Sequence, residues 1–204
     1  MPLTPTSVAG VVLAAGRSTR MGSPKALLTF EGSTFLARLV QAFREGGCQP
    51  VMVVTGPEAD PDARAIAQHA RELGADTATN PDRDSDQVDS LRAAVRRLPS
   101  DLHGVLMAPV DSPGATPSLV AALIETAATG APLVVPTFGG RRGHPILFGR
   151  TILPELMDGD LPEGARTLIR RYEKQLTELP VENRGVLLDV DTPADYRRLR
   201  GRPQ

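Results

Sequence analysis

The sequence predicts a three-layer α/β/α fold of the Rossmann-like kind, with a mostly parallel sheet. Three observations predict it. Near-continuously apolar β-rich runs at Val8–Ala14, Val51–Thr55 and Gly104–Pro109 fit strands covered on both faces. Amphipathic helical stretches separate them. Strand and helix signals also alternate regularly, the pattern of a parallel sheet flanked by helices.

The elements follow in order. After Val8–Ala14 and a Gly-rich loop, Thr34–Glu45 carries Phe35, Leu36, Leu39, Val40 and Phe43 at helical spacing, and Gly46-Gly47 ends it. Val51–Thr55 is the second strand. Pro61–Leu73 reads as a helix stopped by Gly74, and Asp76–Thr79 as a short strand. Val88–Leu98 places Leu91, Ala94, Val95 and Leu98 on one side of a helix. Gly104–Pro109, a helix at Ser118–Ala128 and a strand at Leu133–Pro136 complete the regular part. Residues 1–204 are read as a single domain, with a nucleotide-binding part at 7–136. An irregular Gly-, Pro- and Arg-rich part at 137–185 reads as an insertion or acceptor-binding lobe. A returning strand and terminal helix are expected at 186–200. The length suits one core burying about 70% of the unfolded surface.

Composition excludes several classes. The net charge of −1 provides no global positive field for a nucleic-acid backbone. No apolar run approaches the ~20 residues of a membrane span, and Met1–Ser7 lacks the features of a secretory leader. The single cysteine, Cys48, reads as a small buried hydrophobe and rules out an internal disulfide. A cytoplasmic setting is the expectation.

Ligands in such sheets gather beyond the carboxyl ends of the strands, here the loops after Leu13, Thr55, Thr79 and Pro109. The first of these, in VVLAAGRSTRMGSPKALL, combines Gly16 and Gly22 with Arg17, Arg20 and Lys25. Glycines let backbone N–H groups close on an anion, and the cations match a triphosphate. Lys25 and Lys174 are the only lysines. The loop fits neither GxxxxGK[ST] nor GxGxxG. On its residues alone it is an anion-binding loop, with a solvated surface turn as the bland alternative.

LAAGRSTRMGSPK resembles the signature of nucleotidyltransferases with a glycosyltransferase-A-like fold. It is most similar to the molybdenum cofactor cytidylyltransferase and guanylyltransferase group. The resemblance implies a nucleotide-binding set of Leu13, Ala14, Ala15, Gly16, Arg17, Lys25, Thr55, Asn80 and Ser90, with Arg17 and Lys25 on the phosphates. Asn80 and Ser90 would serve the base or ribose.

Asp111 follows the third apolar strand, where a carboxylate beside a triphosphate needs a bridging cation. Asp189 and Asp191 follow a later apolar run, before a helix start marked by Thr192-Pro193. Each aspartate alone could equally be a turn former or cap. The resemblance makes Asp111 and Asp191 ligands of Mg²⁺, and Arg17, Lys25 and Asp111 the catalytic set. GGRRGHPILFG at 139–149 reads alone as a solvated hairpin with a strand at Pro145–Phe148. The resemblance implies that Arg142 and His144 line the acceptor site.

Between Asn80 and Ser90 the chain departs from the group's pattern at Arg83, Asp86 and Asp89; Asp86 also fits a helix cap. The implied reaction moves a nucleoside monophosphate from an NTP to a phosphorylated acceptor. Ala15, Pro24-Lys25 and RGHP favour CTP and molybdopterin. GTP, or a sugar- or polyol-phosphate acceptor, is the alternative. A non-catalytic nucleotide- or cofactor-binding chaperone for a molybdoenzyme partner is the rival from another class.

Overall fold

The computed structural model describes residues 7–82 and 85–201. In chain order the elements are β1 (Val8–Ala14), β2 (Thr29–Phe30), β3 (Ser33–Thr34), α1 (Phe35–Glu45), β4 (Val51–Thr55), α2 (Pro61–Glu72), β5 (Asp76–Thr79) and α3 (Gln87–Val95). They continue with β6 (Gly104–Pro109), α4 (Pro117–Ala127), β7 (Leu133–Phe138), β8 (Arg141–Arg142), β9 (Ile146–Gly149), α5 (Leu153–Asp158), α6 (Ala165–Arg171), β10 (Leu176–Pro180) and α7 (Pro193–Arg200).

The main sheet runs β10-β7-β9-β6-β1-β4-β5, with β8 paired to β7 and a separate β2-β3 ribbon. β1 pairs in parallel with both β4 and β6, and β5 extends β4 in parallel. β9 is antiparallel to both β6 and β7. The sheet is therefore mostly parallel, with helices on both faces.

Alternation along each strand divides the core. Val8, Val12, Val51, Val53, Leu106 and Ala108 face one layer, with α1, α2, α4 and α7. Val11, Leu13, Met52, Val54, Val105 and Met107 face the other, with α3, α5 and α6. Phe35, Leu36, Leu39 and Phe43 of α1 are fully buried, each contributing about 1.5–3 kcal/mol. Gly10 permits the contact, since a Cβ there would stand 2.5 Å from Cδ2 of Phe43. Cys48 is buried, and burial pushes its thiol pKa up to about 12, so it packs as a hydrophobe.

Local chemistry starts the helices. Thr34, Asp60, Asp86, Thr116 and Thr192 each accept a backbone N–H from the first turn they cap. Pro follows directly after Asp60, Thr116 and Thr192. Among the described residues no helix is long and apolar enough to cross a membrane.

Two expectations are corrected here. The segment read as a lobe contributes β8, β9 and β10 to the main sheet, with β9 inserted between β6 and β7. The returning strand is absent among the described residues: Arg184–Leu187 is a 3₁₀ turn, and residues 188–191 lead to α7 without ladder pairing.

Candidate active site

Parallel pairing brings the carboxyl ends of β1, β4, β5 and β6 to one edge of the sheet. The loops leaving them are stitched together: the Asn80 N–H donates to the carbonyl of Thr55, and Val110 N–H to that of Leu13. These loops enclose a cleft of about 210 Å³. The sequence-predicted residues Leu13, Ala14, Ala15, Gly16, Lys25, Asn80, Ser90, Asp111 and Asp191 all line it.

The Gly-rich loop is held open by backbone geometry. Ser18 and Gly22 take positive φ values of 48° and 69°, and Ser18 Oγ accepts the Lys25 N–H at 3.1 Å. That bond fixes the start of the Lys25–Leu27 3₁₀ turn and aims the lysine inward. Lys25 Nζ donates to Asp191 Oδ1 at 2.7 Å and to Asp111 Oδ2 at 2.9 Å. Its side chain is only 12% exposed. Burial opposes the charge, but the bonds to Asp191 and Asp111 outweigh it, and the lysine pKa is raised. Arg20 lies 3.9 Å from Asp191 and is largely solvated, so that pair adds little.

Asp191 reaches the site because the segment after β10 crosses back over the loop after β6. His144 N–H donates to the Val186 carbonyl, Asn183 Nδ2 to the Gly114 carbonyl, and Val190 N–H to the Asp111 carbonyl. The crossing is tight: a Cβ on Gly114 would stand 2.1 Å from the Gly185 carbonyl oxygen. Thr192 then caps α7 in a reciprocal capping box with Asp195. Carboxylate oxygens of Asp111, Asp189 and Asp191 thereby come within 4.8 Å of one another. Burial, then the charges of Asp111 and Asp191, raises the pKa of Asp189. Converging hard oxygen donors fit a Mg²⁺ or Mn²⁺ ion, which takes one or two carboxylates plus phosphate oxygens.

On the far side of the cleft, Asn80 Nδ2 donates to Ser85 Oγ and to buried Ser90 Oγ, both at 2.8 Å. Asp86 lines the cleft, but its Oδ1 accepts the Val88 N–H at 2.7 Å, the capping role. Asp89 pairs with Arg92 on the helix. Arg83 lies outside the described residues.

Four predicted site residues sit elsewhere. Arg17 lines a neighbouring cleft with Asp60 and Asp62. Thr55 is buried and faces a different cavity, beneath α2. Arg142 is held at the surface by Glu173 and Glu178 and so is not aimed at the cleft. His144 is not among the cleft-lining residues; its Nδ1 is buried without a hydrogen-bond partner among the described residues. Burial lowers its pKa, the Asp111 charge opposing, so the ring is set up as neutral imidazole. Arg20, read from sequence as a cation of the anion-binding loop, lines the cleft; so do Ser18, Asp82, Ser85, Asp86 and Gln87, which sequence did not assign to it. Their place at strand ends and helix starts was the available signal.

A Gly-rich, cation-bearing loop facing a carboxylate cluster across a sheet edge defines a nucleotide-handling α/β enzyme. Residues 10–176 match the MobA-like NTP transferase domain, and the chain belongs to that family of nucleotidyltransferases. Nicotine blue oxidoreductase of Paenarthrobacter nicotinovorans is 29% identical, covering 94% of this chain and 96% of the relative. A probable molybdenum cofactor guanylyltransferase of Mycobacterium avium (strain 104) is 33% identical, with 94% of each covered. The crystal structure of Rv0371c from Mycobacterium tuberculosis H37Rv superposes with a TM-score of 0.81 at 30% identity, covering 98% of this chain and 100% of that one. That protein has also been solved in complex with manganese.

Proposed function

We propose that the protein transfers CMP from CTP to the phosphate of a molybdopterin-type acceptor and releases pyrophosphate. The observation that carries the reading is Lys25 held between Asp111 and Asp191 at the mouth of the Gly-rich loop. This supports the reading because a cation and converging carboxylates around one point suit a transfer from a triphosphate.

In this reading the backbone of Leu13–Gly16 lies along the nucleotide, and Asn80 with Ser90 orients the base or ribose. Lys25 stabilises charge developing on the leaving group; Arg17 and Arg20 supply positive potential from the loop. Asp111 and Asp191 hold Mg²⁺, and Asp189 adds a third carboxylate to the cluster. The ion supplies charge neutralisation at the phosphates. An oxygen of the acceptor phosphate forms a bond to the α-phosphorus. The bond from that phosphorus to the bridging oxygen of the β-phosphate breaks, and pyrophosphate leaves with the electron pair. The acceptor oxygen is already anionic, so it needs positioning and no base. Ala15 and Pro24-Lys25 support CTP over GTP.

The test is a screen of the four ribonucleoside triphosphates against molybdopterin and sugar-phosphate acceptors with pyrophosphate detection. Release with CTP and molybdopterin is expected; release with GTP alone rejects the cytidylyl assignment. The name of the Paenarthrobacter relative raises a second reading, redox chemistry on an organic substrate. Transfer is favoured because three converging carboxylates beside a lysine at a Gly-rich loop suit a metal-bridged triphosphate. Oxidation of a reduced nicotinamide without pyrophosphate release would reverse that preference.

A further inference from the structure

A second cavity, of about 720 Å³, opens at the β5 edge of the sheet, beneath α2. Its floor is unusual for a sheet under a helix. Thr55 of β4 and Thr77 and Thr79 of β5 line it, although the other inward residues on this face of β4 are the apolar Val51 and Val53. Thr55 is 3% exposed. Above the threonines α2 places Ala63 and Ala67, whose small side chains leave the space unfilled.

The walls are cationic. Arg64 and Arg71, seven residues apart on α2, flank one side, and Arg97, just past the end of α3, closes another. Among the described residues Arg64 donates to the carbonyls of Glu58 and Ala59 and to no carboxylate. Arg71 and Arg97 make no side-chain hydrogen bond or ion pair among the described residues. Among the described residues Glu58 is the single acidic side chain lining the cavity. Three guanidinium groups against one carboxylate leave a local excess of positive charge in a chain whose net charge is −1.

We infer that this cavity is a second anion site, taking a phosphate-bearing small molecule. Guanidinium groups supply charge-assisted, forked donors to phosphate oxygens, and threonine hydroxyls supply neutral ones from below. The volume lies in the range of small-ligand sites, about 300–1,000 Å³. The site is separate from the Gly-rich loop, yet adjoins it through Gly56, which lines the cavity and packs against the Ala15 carbonyl. A ligand there would bear on the turn that carries the nucleotide loop. The inference does not depend on which nucleotide or acceptor the main cleft uses.

The test is an amide chemical-shift titration of the full chain with inorganic pyrophosphate, run in the wild type, in Lys25→Ala and in Arg71→Gln/Arg97→Gln. Lys25→Ala weakens the main cleft and leaves this cavity intact. Saturable shifts at Gly56, Thr77 and Thr79 are expected in wild type and Lys25→Ala alike. In Arg71→Gln/Arg97→Gln the same shifts should require at least about tenfold more pyrophosphate, as loss of two charge-assisted contacts demands. Thr77→Val/Thr79→Val, which keeps the charge, should weaken binding by a smaller factor. Shifts confined to the Gly-rich loop, or an unchanged midpoint in the arginine variant, would overturn the proposal.

Discussion

Lys25 Nζ stands 2.7 Å from Asp191 Oδ1, although 166 residues separate the two in the chain. The same ammonium also bonds Asp111, so it occupies the ground between two proposed metal ligands. Two cations cannot share that ground at contact distance without strong repulsion. If Asp111 and Asp191 were to hold a divalent ion, Lys25 would have to leave them, and a bound triphosphate would offer it a new partner. The free protein should bind Mn²⁺ weakly and the nucleotide-loaded protein tightly. Lys25→Met should raise Mn²⁺ affinity of the free protein by about tenfold or more and largely abolish the coupling to nucleotide. Electron paramagnetic resonance titration of free Mn²⁺ reads this directly; unchanged affinity would contradict it.

The same substitution should lower turnover by about 10²–10³-fold, the scale for removing one group that stabilises transition-state charge. Asp111→Asn should do at least as much. Both variants should retain wild-type circular dichroism, because the pair lies at the cleft and not in either hydrophobic cluster. Steady-state pyrophosphate release checks the prediction.

Gly114 lets the segment bearing Asp189 and Asp191 cross the loop after β6. A methyl there would meet the Gly185 carbonyl, and backbone cannot swing aside as a side chain can. Gly114→Ala should cost about 1–3 kcal/mol of stability and weaken Mn²⁺ binding together. A thermal melt and a metal titration on one sample test this. A stable variant with normal metal affinity would show that the crossing does not set the site.

Asp195 closes the capping box on Thr192, and bonds from the Thr192 hydroxyl, from Arg198 and from the Thr192 backbone hold its carboxyl down to about 2. The ordinary value is 3.8, so the folded pKa is depressed. Its stabilisation is therefore present above about pH 4 and is lost as pH falls toward 2. Thermal midpoints of wild type and Asp195→Asn should differ by a constant amount above about pH 5 and converge as pH falls toward the folded value.

Arg142 offers a contrast. It is anchored by Glu173 and Glu178 at the surface. Arg142→Ala should leave kcat and the acceptor KM within about twofold of wild type, as exposed pairs of this kind contribute little. A large rise in acceptor KM would restore it to the acceptor site.

What was legible in the sequence was mostly local. Helix starts read at Thr34, Pro61, Ser118 and Thr192-Pro193 fall within a residue of those observed, because capping uses neighbours in the chain. Asp111 was legible as the residue just beyond a buried strand. The insertion of β9 between β6 and β7 was not, since strand order depends on pairing between distant segments. The partners of Arg142 were hidden for the same reason: Glu173 and Glu178 lie 31 and 36 residues away. The face that Thr55 shares was legible, because strand alternation puts it with Val51 and Val53 on the side that α2 covers.

The most direct test of the proposed activity is quantitative: CTP, molybdopterin and Mg²⁺ with the purified protein, measuring pyrophosphate and the nucleotide-acceptor product in parallel. One pyrophosphate per dinucleotide product, with both lost in Asp111→Asn, is the predicted result. Nucleotide binding without pyrophosphate release, from any triphosphate and any phosphorylated acceptor, would contradict it.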